Sequence, residues 1–218
     1  MENKYNLTLE QNIFLAKRNL VDNIYANARM DGINITFPQT KTILDGVNVP
    51  SLKLDEIQCI LNLRDAWKFV INNIEKELNL DFICEVNSYV ARNESLEWGK
   101  LRTGKISITG VDYIPEIPNE EEVKNQIAQI LQIENATKRA IEYMLYGMRM
   151  KLFWDGNKRT STLVANKIMI ENGAGIIKVP DNKLERFNEF LTEYYNTNEK
   201  EEITRFIYEN CIDGIEIN

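Results

Sequence analysis

The stretch that decides the fold is a polar decapeptide between two apolar helical patterns: Lys151-Leu152-Phe153-Trp154-Asp155-Gly156-Asn157-Lys158-Arg159-Thr160. It brings a carboxylate, a glycine, an amide and three cations together in a few residues. In the pattern before it, residues 136–150, apolar residues recur at intervals of three and four. The pattern after it, residues 158–172, is apolar on several faces. We therefore expect a loop between two core helices, the second at the centre of a helical bundle.

Further helical patterns lie on both sides of this pair and make the predicted fold class all-α. They cover residues 9–30, 54–78, 81–91, 119–133, 182–196 and 199–211. Between the first two, a segment with Pro38, Gly46 and Pro50 is typical of a linker. The expected organisation is an N-terminal helical arm and linker over residues 1–50, followed by a helical domain over residues 51–218.

One segment, residues 101–113, breaks the helical pattern. Ile106 and Ile108 alternate there with Ser107 and Thr109, between two glycines and ahead of two prolines. Such alternation is typical of a strand, and the prolines forbid a continuing helix. Two interpretations stay open at this point, a short β-hairpin and a loop that closes the core.

The composition is that of an ordinary globular protein, with 44% apolar and 27% charged residues in a chain of 218. The acidic excess of 33 Asp and Glu over 26 Lys and Arg argues against nucleic acid or an anionic membrane as a partner. No apolar run approaches the ~18 residues of a membrane span, and the polar N-terminus lacks a signal-peptide core. We expect a cytoplasmic protein whose Cys59, Cys84 and Cys211 are free thiols; self-association is left open.

Histidine is absent from the sequence. This excludes histidine-based catalytic triads, most zinc chemistry and any imidazole proton shuttle. Chemistry in this chain must use other groups.

The decapeptide itself has the composition of an anion site. Gly156 permits a turn in which successive amides face one ligand, and the N-terminus of the next helix adds partial positive charge. Lys158 and Arg159 oppose that helix dipole unless an anion is bound, and Asp155 could hold Mg²⁺ together with phosphate oxygens. A polar loop with solvated charges is the alternative interpretation.

The same residues resemble the Fic/Doc family signature, written H-x-F-x-D-G-N-G/K-R. Six positions match in register: Phe153, Asp155, Gly156, Asn157, Lys158 and Arg159. Upstream, residues 101–108 and 113–115 are similar to the flap hairpin of that family, so the resemblance covers roughly residues 78–211. It implies a Fic-like helical bundle with one short β-hairpin flap.

The resemblance also implies a chemistry. Most members of the family transfer AMP from ATP to a protein hydroxyl, and others transfer phosphate or phosphocholine. By position, Asp155 would bind Mg²⁺. The nucleotide phosphates would be cradled by Gly156, Asn157 and Lys158, and Arg159 would neutralise the charge that develops during transfer. The implied flap would hold the target protein as an added strand along Lys105, Ile106, Ser107, Ile108 and Thr109.

Two departures from the family pattern bear on activity. Lys151 stands where the family has its general-base histidine, and an ordinary lysine is protonated at pH 7, so we expect Lys151 to act as a phosphate-binding cation. The arm carries only a partial match to the inhibitory motif, in Asn27, Asp31 and Gly32, and Thr162 replaces the arginine that normally receives the inhibitory glutamate. The family's self-inhibitory ion pair is therefore not expected.

Three interpretations follow from these departures. The first is impaired transfer of AMP from Mg-ATP to a Ser, Thr or Tyr hydroxyl of a target protein. The second is a non-catalytic protein of the same fold that binds nucleotide or protein. The third treats Lys151 as an introduced substitution in an otherwise ordinary enzyme.

Overall fold

The computed structural model describes residues 1–216 and is built almost entirely of helices. In chain order the elements are α1 (Leu9–Arg18), α2 (Leu20–Met30), α3 (Phe37–Leu44), α4 (Leu54–Asn72), α5 (Leu80–Val90), α6 (Glu120–Leu131), α7 (Ala136–Met150), α8 (Asn157–Glu171), β1 (Ile176–Ile177), a 3₁₀ turn (Asp181–Lys183), α9 (Leu184–Thr197), α10 (Glu201–Asn210) and β2 (Ile212–Asp213). The prediction of an all-α fold is confirmed.

The antiparallel pair α7 and α8 forms the centre of the molecule, as predicted. The observed bounds of α7 match the prediction, and α8 begins one residue earlier than expected. Every residue of α8 from Arg159 to Ile170 is buried. Gly147 on α7 permits the two helices to approach closely, because a Cβ at this position would collide with the Ser161 Oγ of α8. Neighbouring helices thus surround α8 and fix the position of its N-terminus.

The arm differs from the prediction in two places. The expected helix over residues 9–30 is broken at Asn19, which ends α1 and precedes α2. The expected linker contains α3, because Thr36 caps a helix whose first turn includes Pro38, a position that proline tolerates. The arm shares the main core rather than forming a separate body, with Ile24 and Ala28 fully buried.

The small β element is not where the sequence suggested. The two-stranded sheet pairs Ile176–Ile177 with Ile212–Asp213 in antiparallel register. Residues 101–113 form an extended segment without strand pairing, so the loop interpretation is the correct one there. The alternation nevertheless persists, because Lys105, Ser107 and Thr109 are exposed while Ile106 and Ile108 are half-buried.

Two expectations from composition can be compared with the structure. Cys59, Cys84 and Cys211 are free, as expected. Over residues 1–216, none of the helices has the length and apolar character needed to cross a membrane.

Candidate active site

The loop between α7 and α8 is held in shape by its own side chains. The Asn157 side chain accepts a hydrogen bond from the Phe153 amide at 2.9 Å and donates one to the Phe153 carbonyl at 2.8 Å. Asn87 of α5 donates to the Asp155 carbonyl at 3.0 Å. Gly156 has φ +70° and packs so closely on α5 that a Cβ would lie 2.7 Å from Val90 Cγ1. Gly156 and the side chain of Asn157 therefore shape the loop, and the Asn157 carboxamide bonds to the Phe153 backbone.

The first turn of α8 contains backbone amides that are available to donate hydrogen bonds. Gly156 is the N-cap residue and provides no capping side chain, and the first bond of the helix runs from the Thr160 amide to the Gly156 carbonyl at 2.8 Å. The amides of residues 157–159 donate to no group within residues 1–216. The positive end of a 15-residue central helix is therefore left without a side-chain cap.

The C-terminus of α2 lies against this helix end. Lys158 Nζ donates to the carbonyl of Met30, the last residue of α2, at 2.5 Å. The same ammonium lies 3.7 Å from Asp31 Oδ1. A lysine at a helix C-terminus interacts favourably with the unpaired carbonyls there. Lys158 thus connects the arm to the motif loop.

Arg159 points into the protein rather than towards solvent. Its side chain is 2% exposed and contacts three carboxylates: Asp31 at Nε, Glu94 at 2.8 Å and Asp155 at 3.6 Å. These carboxylates raise the pKa of Arg159 above its usual value, although burial opposes them, and burial raises the pKa of Glu94. Arg159 is the centre of a buried ion network, which differs from the direct catalytic role that the resemblance implied.

The arm residues singled out from the sequence are brought to the site. Asn27 accepts a hydrogen bond from Trp67 Nε1 at 2.9 Å and fixes α2 on α4. Gly32 has φ +91° and turns the chain just after Asp31. Asp31 pairs with Arg159, the first arginine of the motif, and not with position 162, where the family's inhibitory glutamate finds its partner. Thr162 bonds instead to the Lys158 carbonyl at 2.9 Å.

Lys151 is held in an unusual backbone conformation at the end of α7. Its φ of 49° and ψ of 60° are left-handed, and its amide donates to the Gly147 carbonyl. The ammonium lies 5.7 Å from the centre of the Tyr195 ring. Burial, and secondarily the charge of Lys158, lower the pKa of Lys151 to about 8, although Asp31 and Asp155 act in the opposite direction. This value places the amine much closer to neutrality than the sequence predicted.

Arg102 is a positioning residue that the sequence did not reveal. It is 1% exposed and donates to the carbonyls of Lys151 and Gly104 at 2.6 Å and of Glu116 at 2.5 Å. Burial lowers its pKa. Through these bonds Arg102 ties the extended segment to the backbone of Lys151. An arginine beside a glycine in an irregular segment gives no sequence signal for such a role.

A cavity of about 280 Å³ lies between the arm, the motif and α9. Asp31, Lys151 and Lys158 lie on one side of it, and Ile108 and Thr109 of the extended segment lie on another. The remaining wall comes from α9 through Asn188, Leu191, Thr192 and Tyr195. Small-molecule sites of proteins usually measure about 300 to 1,000 Å³, so the cavity lies just below that range.

The residues present are compatible with Mg²⁺ only together with a ligand that brings its own oxygens. Asp155 is 51% exposed, and its Oδ1 accepts from the Gly156 amide at 2.6 Å. No group of three or more Asp, Glu or Cys side chains suited to a metal ion occurs within residues 1–216. Mg²⁺ is commonly held by one or two carboxylates plus phosphate oxygens and waters. This donor set fits that pattern.

Comparisons with known proteins agree with the resemblance of the motif. Residues 77–169 match the Fic/DOC family. "Protein adenylyltransferase Fic" of Drosophila persimilis is 24% identical over 178 residues, which cover 77% of this chain and 35% of that protein. "Protein adenylyltransferase fic-1" of Caenorhabditis elegans is 25% identical over 172 residues, which cover 72% and 33%. The chain therefore spans about a third of the length of these relatives.

Solved structures show the same fold. A segment of Fic-1 from C. elegans superimposes with a TM-score of 0.77 at 22% identity, covering 90% of this chain and 62% of that one. A Fic domain containing signaling protein from Bacteroides thetaiotaomicron superimposes with a TM-score of 0.74 at 16% identity, covering 93% and 85%. At these identities the likeness concerns the fold alone.

Proposed function

We propose that the protein transfers AMP from Mg-ATP to a Ser, Thr or Tyr hydroxyl of a target protein, because residues 77–169 match the Fic/DOC family. The observation that carries the proposal is the N-terminus of α8. Three of its amides donate to no group among the described residues 1–216. Lys158 lies in its first turn and Asp155 just before it, beside a cavity that reaches the extended segment. Residues 1–50 then act as an arm that competes with the nucleotide.

Phosphate binding would use backbone and side-chain groups together. The amides of residues 157–159 can donate to phosphate oxygens at the positive end of α8. Lys158 and Lys151 add two cations at the same cavity. Mg²⁺ held by Asp155 would neutralise charge on the phosphates as the bond to the leaving group breaks.

The target protein would bind along the extended segment 105–109. The backbone of these residues is not used in a sheet, and their exposed side chains alternate with half-buried ones. An incoming segment can therefore pair with this edge through main-chain hydrogen bonds. Ile108 and Thr109 line the cavity, so a hydroxyl on the added strand would lie near the nucleotide.

Lys151 would take the proton of the target hydroxyl. With a pKa of about 8, roughly a tenth of the amine is neutral at pH 7. The proposed transfer is accordingly slow at pH 7. Lys151 then acts as a cation at pH values below its pKa and as a base at pH values above it.

The rate of AMP transfer should rise with pH. The pKa of Lys151 is lowered to about 8, so the neutral form grows between pH 7 and pH 9. We expect a rise of about tenfold over that range, measured with α-labelled ATP, and a flat profile for Lys151→Arg because arginine stays protonated. A flat profile for the unmodified protein would exclude Lys151 as the base.

Removing the carboxylate of Asp31 should tighten nucleotide binding. Asp31 holds Lys158 and Arg159 where phosphate would bind, and like charges repel. For Asp31→Asn we expect Mg-ATP to bind roughly 5- to 150-fold more tightly by calorimetry, the usual range of coupling between two ligands.

Asp45→Asn is the matched control for that substitution. Asp45 also follows the last residue of a helix and precedes a glycine of positive φ, but it is exposed and makes no ion pair within residues 1–216. Its replacement should leave the affinity for Mg-ATP unchanged. Equal effects of both substitutions would show that Asp31 does not compete with phosphate.

The proposed activity is tested by incubating the protein with a cell lysate and ATP labelled at the α or the γ phosphate. Transfer of the α label alone onto a hydroxyl of a target protein is the expected result. Transfer of the γ label instead would replace AMP by phosphate as the transferred group.

A non-catalytic binding protein is the second candidate. The observation that favours it is that the Asp31 carboxylate pairs with the cations Lys158 and Arg159 of the motif, while a lysine stands at the base position. Mg-ATP binding without transfer of either label, in both the unmodified protein and Asp31→Asn, would select this candidate.

A further inference from the structure

Within the part of the chain that the structure describes, the amine of Lys151 has no hydrogen-bond or ion-pair partner. Within residues 1–216, no carboxylate lies within 4 Å of Lys151 Nζ, and its contact is the face of the Tyr195 ring. The other substantially buried lysines each have a hydrogen-bond or ion-pair partner. Lys158 donates to the Met30 carbonyl, Lys167 to the Ile74 carbonyl and Glu171, and Lys178 to two aspartates.

The backbone of Lys151, by contrast, is fixed on both sides. Its amide bonds to the Gly147 carbonyl at 3.3 Å, and its carbonyl receives the Arg102 guanidinium at 2.6 Å. The residue is left-handed and ends α7, so its side chain leaves the helix beside the cavity that it lines with Lys158 and Asp31. A fixed backbone carrying an unpaired amine at a reactant cavity is the arrangement of a nucleophilic lysine.

We infer that the ε-amino group of Lys151 is itself an acceptor of the nucleotidyl group, so that the protein carries AMP on Lys151 as a phosphoramidate. This inference rests on the proposed function, since it requires the same nucleotide in the same cavity. It adds a covalent site on this chain to the transfer onto a target hydroxyl.

The chemistry balances without a further reactant. The lone pair of the neutral amine attacks the α-phosphorus of the nucleoside triphosphate, and a nitrogen–phosphorus bond forms. The bond from that phosphorus to the bridging oxygen breaks, and pyrophosphate leaves with the electron pair. One proton of the amine is released to solvent. Burial supports this step by keeping part of the amine neutral near pH 8.

The adduct has a chemical property that separates it from AMP on a hydroxyl. A phosphoramidate hydrolyses in mild acid and is stable in alkali, whereas an AMP ester of serine or tyrosine survives the same acid treatment. A target hydroxyl bound along residues 105–109 could then receive AMP from the adduct, with the amine as the leaving group.

The test uses the full chain, as the unmodified protein and as Asp31→Asn, incubated with Mg-ATP at pH 8.5. Intact mass and peptide fragmentation are expected to locate one AMP residue on Lys151, and mild acid should remove it. Lys151→Arg keeps the positive charge but has no neutral amine, so the adduct should fall at least tenfold. Lys138→Arg, an exposed lysine on the same helix, should leave it unchanged.

The outcomes separate this inference from the proposed function. AMP on hydroxyl residues or on a target protein, with none on Lys151, would overturn the inference and leave the proposed function standing. Absence of any AMP adduct together with absence of Mg-ATP binding by calorimetry would overturn both. An adduct that is equally abundant in Lys151→Arg would also overturn the inference.

Discussion

Replacing Arg159 with methionine is expected to lower the free energy of unfolding by about 3–5 kcal/mol. Arg159 is 2% exposed and balances Asp31 and Glu94, which are largely buried. Removing one partner of a buried ion network leaves charges without compensation, which typically has an effect of this size. Methionine retains much of the side-chain volume, so the loss reflects charge more than packing. Denaturant unfolding measures it.

A matched control is Arg205→Met, which also removes an arginine from an ion pair. Arg205 is 59% exposed where it meets Glu202, and exposed pairs contribute about 0–1 kcal/mol. Glu94→Gln added to Arg159→Met should recover part of the lost stability, because it removes one of the unbalanced charges. A loss below about 1 kcal/mol for Arg159→Met would contradict a structural role for this residue.

The second large effect is expected from Lys151→His. Histidine has an ordinary pKa near 6.5 and is mostly neutral at pH 7, so it supplies the base that a protonated lysine does not. It is also among the residues that more often adopt the left-handed conformation found at this position. Roughly a tenth of the Lys151 amine is already neutral at pH 7, so we expect the rate of AMP transfer at pH 7 to rise by roughly tenfold.

That substitution is best measured in the Asp31→Asn background, where the cavity is open to nucleotide. Rates with α-labelled ATP should be compared at saturating Mg-ATP, so that binding does not limit the result. The Lys151 adduct should disappear at the same time. No increase in a variant that binds Mg-ATP would reject the transferase proposal and favour the binding protein.

Helix positions were largely predictable because burial in this fold follows the helical period. The apolar stripe of α7 and the apolar faces of α8 gave their bounds to within a residue. The sequence did not predict α3, because Pro38 is typical of a linker. Proline is nevertheless tolerated in the first turn of a helix, where Pro38 lies. The hairpin prediction was wrong because alternation measures burial of one face and not the presence of a pairing strand.

The site was predictable as a set of residues but not as a set of contacts. The motif positions and the arm residues Asn27, Asp31 and Gly32 do meet in space. Long-range packing decides that Arg159 points inward and pairs with Glu94. It also decides that Arg102 bonds to the Lys151 carbonyl. The lowered pKa of Lys151 likewise arises from burial, which a single position in the sequence does not reveal.

Nucleotide phosphate is expected to bind at the start of α8 in competition with Asp31. Titration calorimetry of Mg-ATP into Asp31→Asn, with and without Lys158→Met, tests it most directly. We expect tighter binding in Asp31→Asn than in the unmodified protein, and a loss of at least tenfold when Lys158→Met is added. The exposed lysine variant Lys68→Met should cause no such loss. Equal affinities with and without Lys158, or no binding in Asp31→Asn, would contradict the claim.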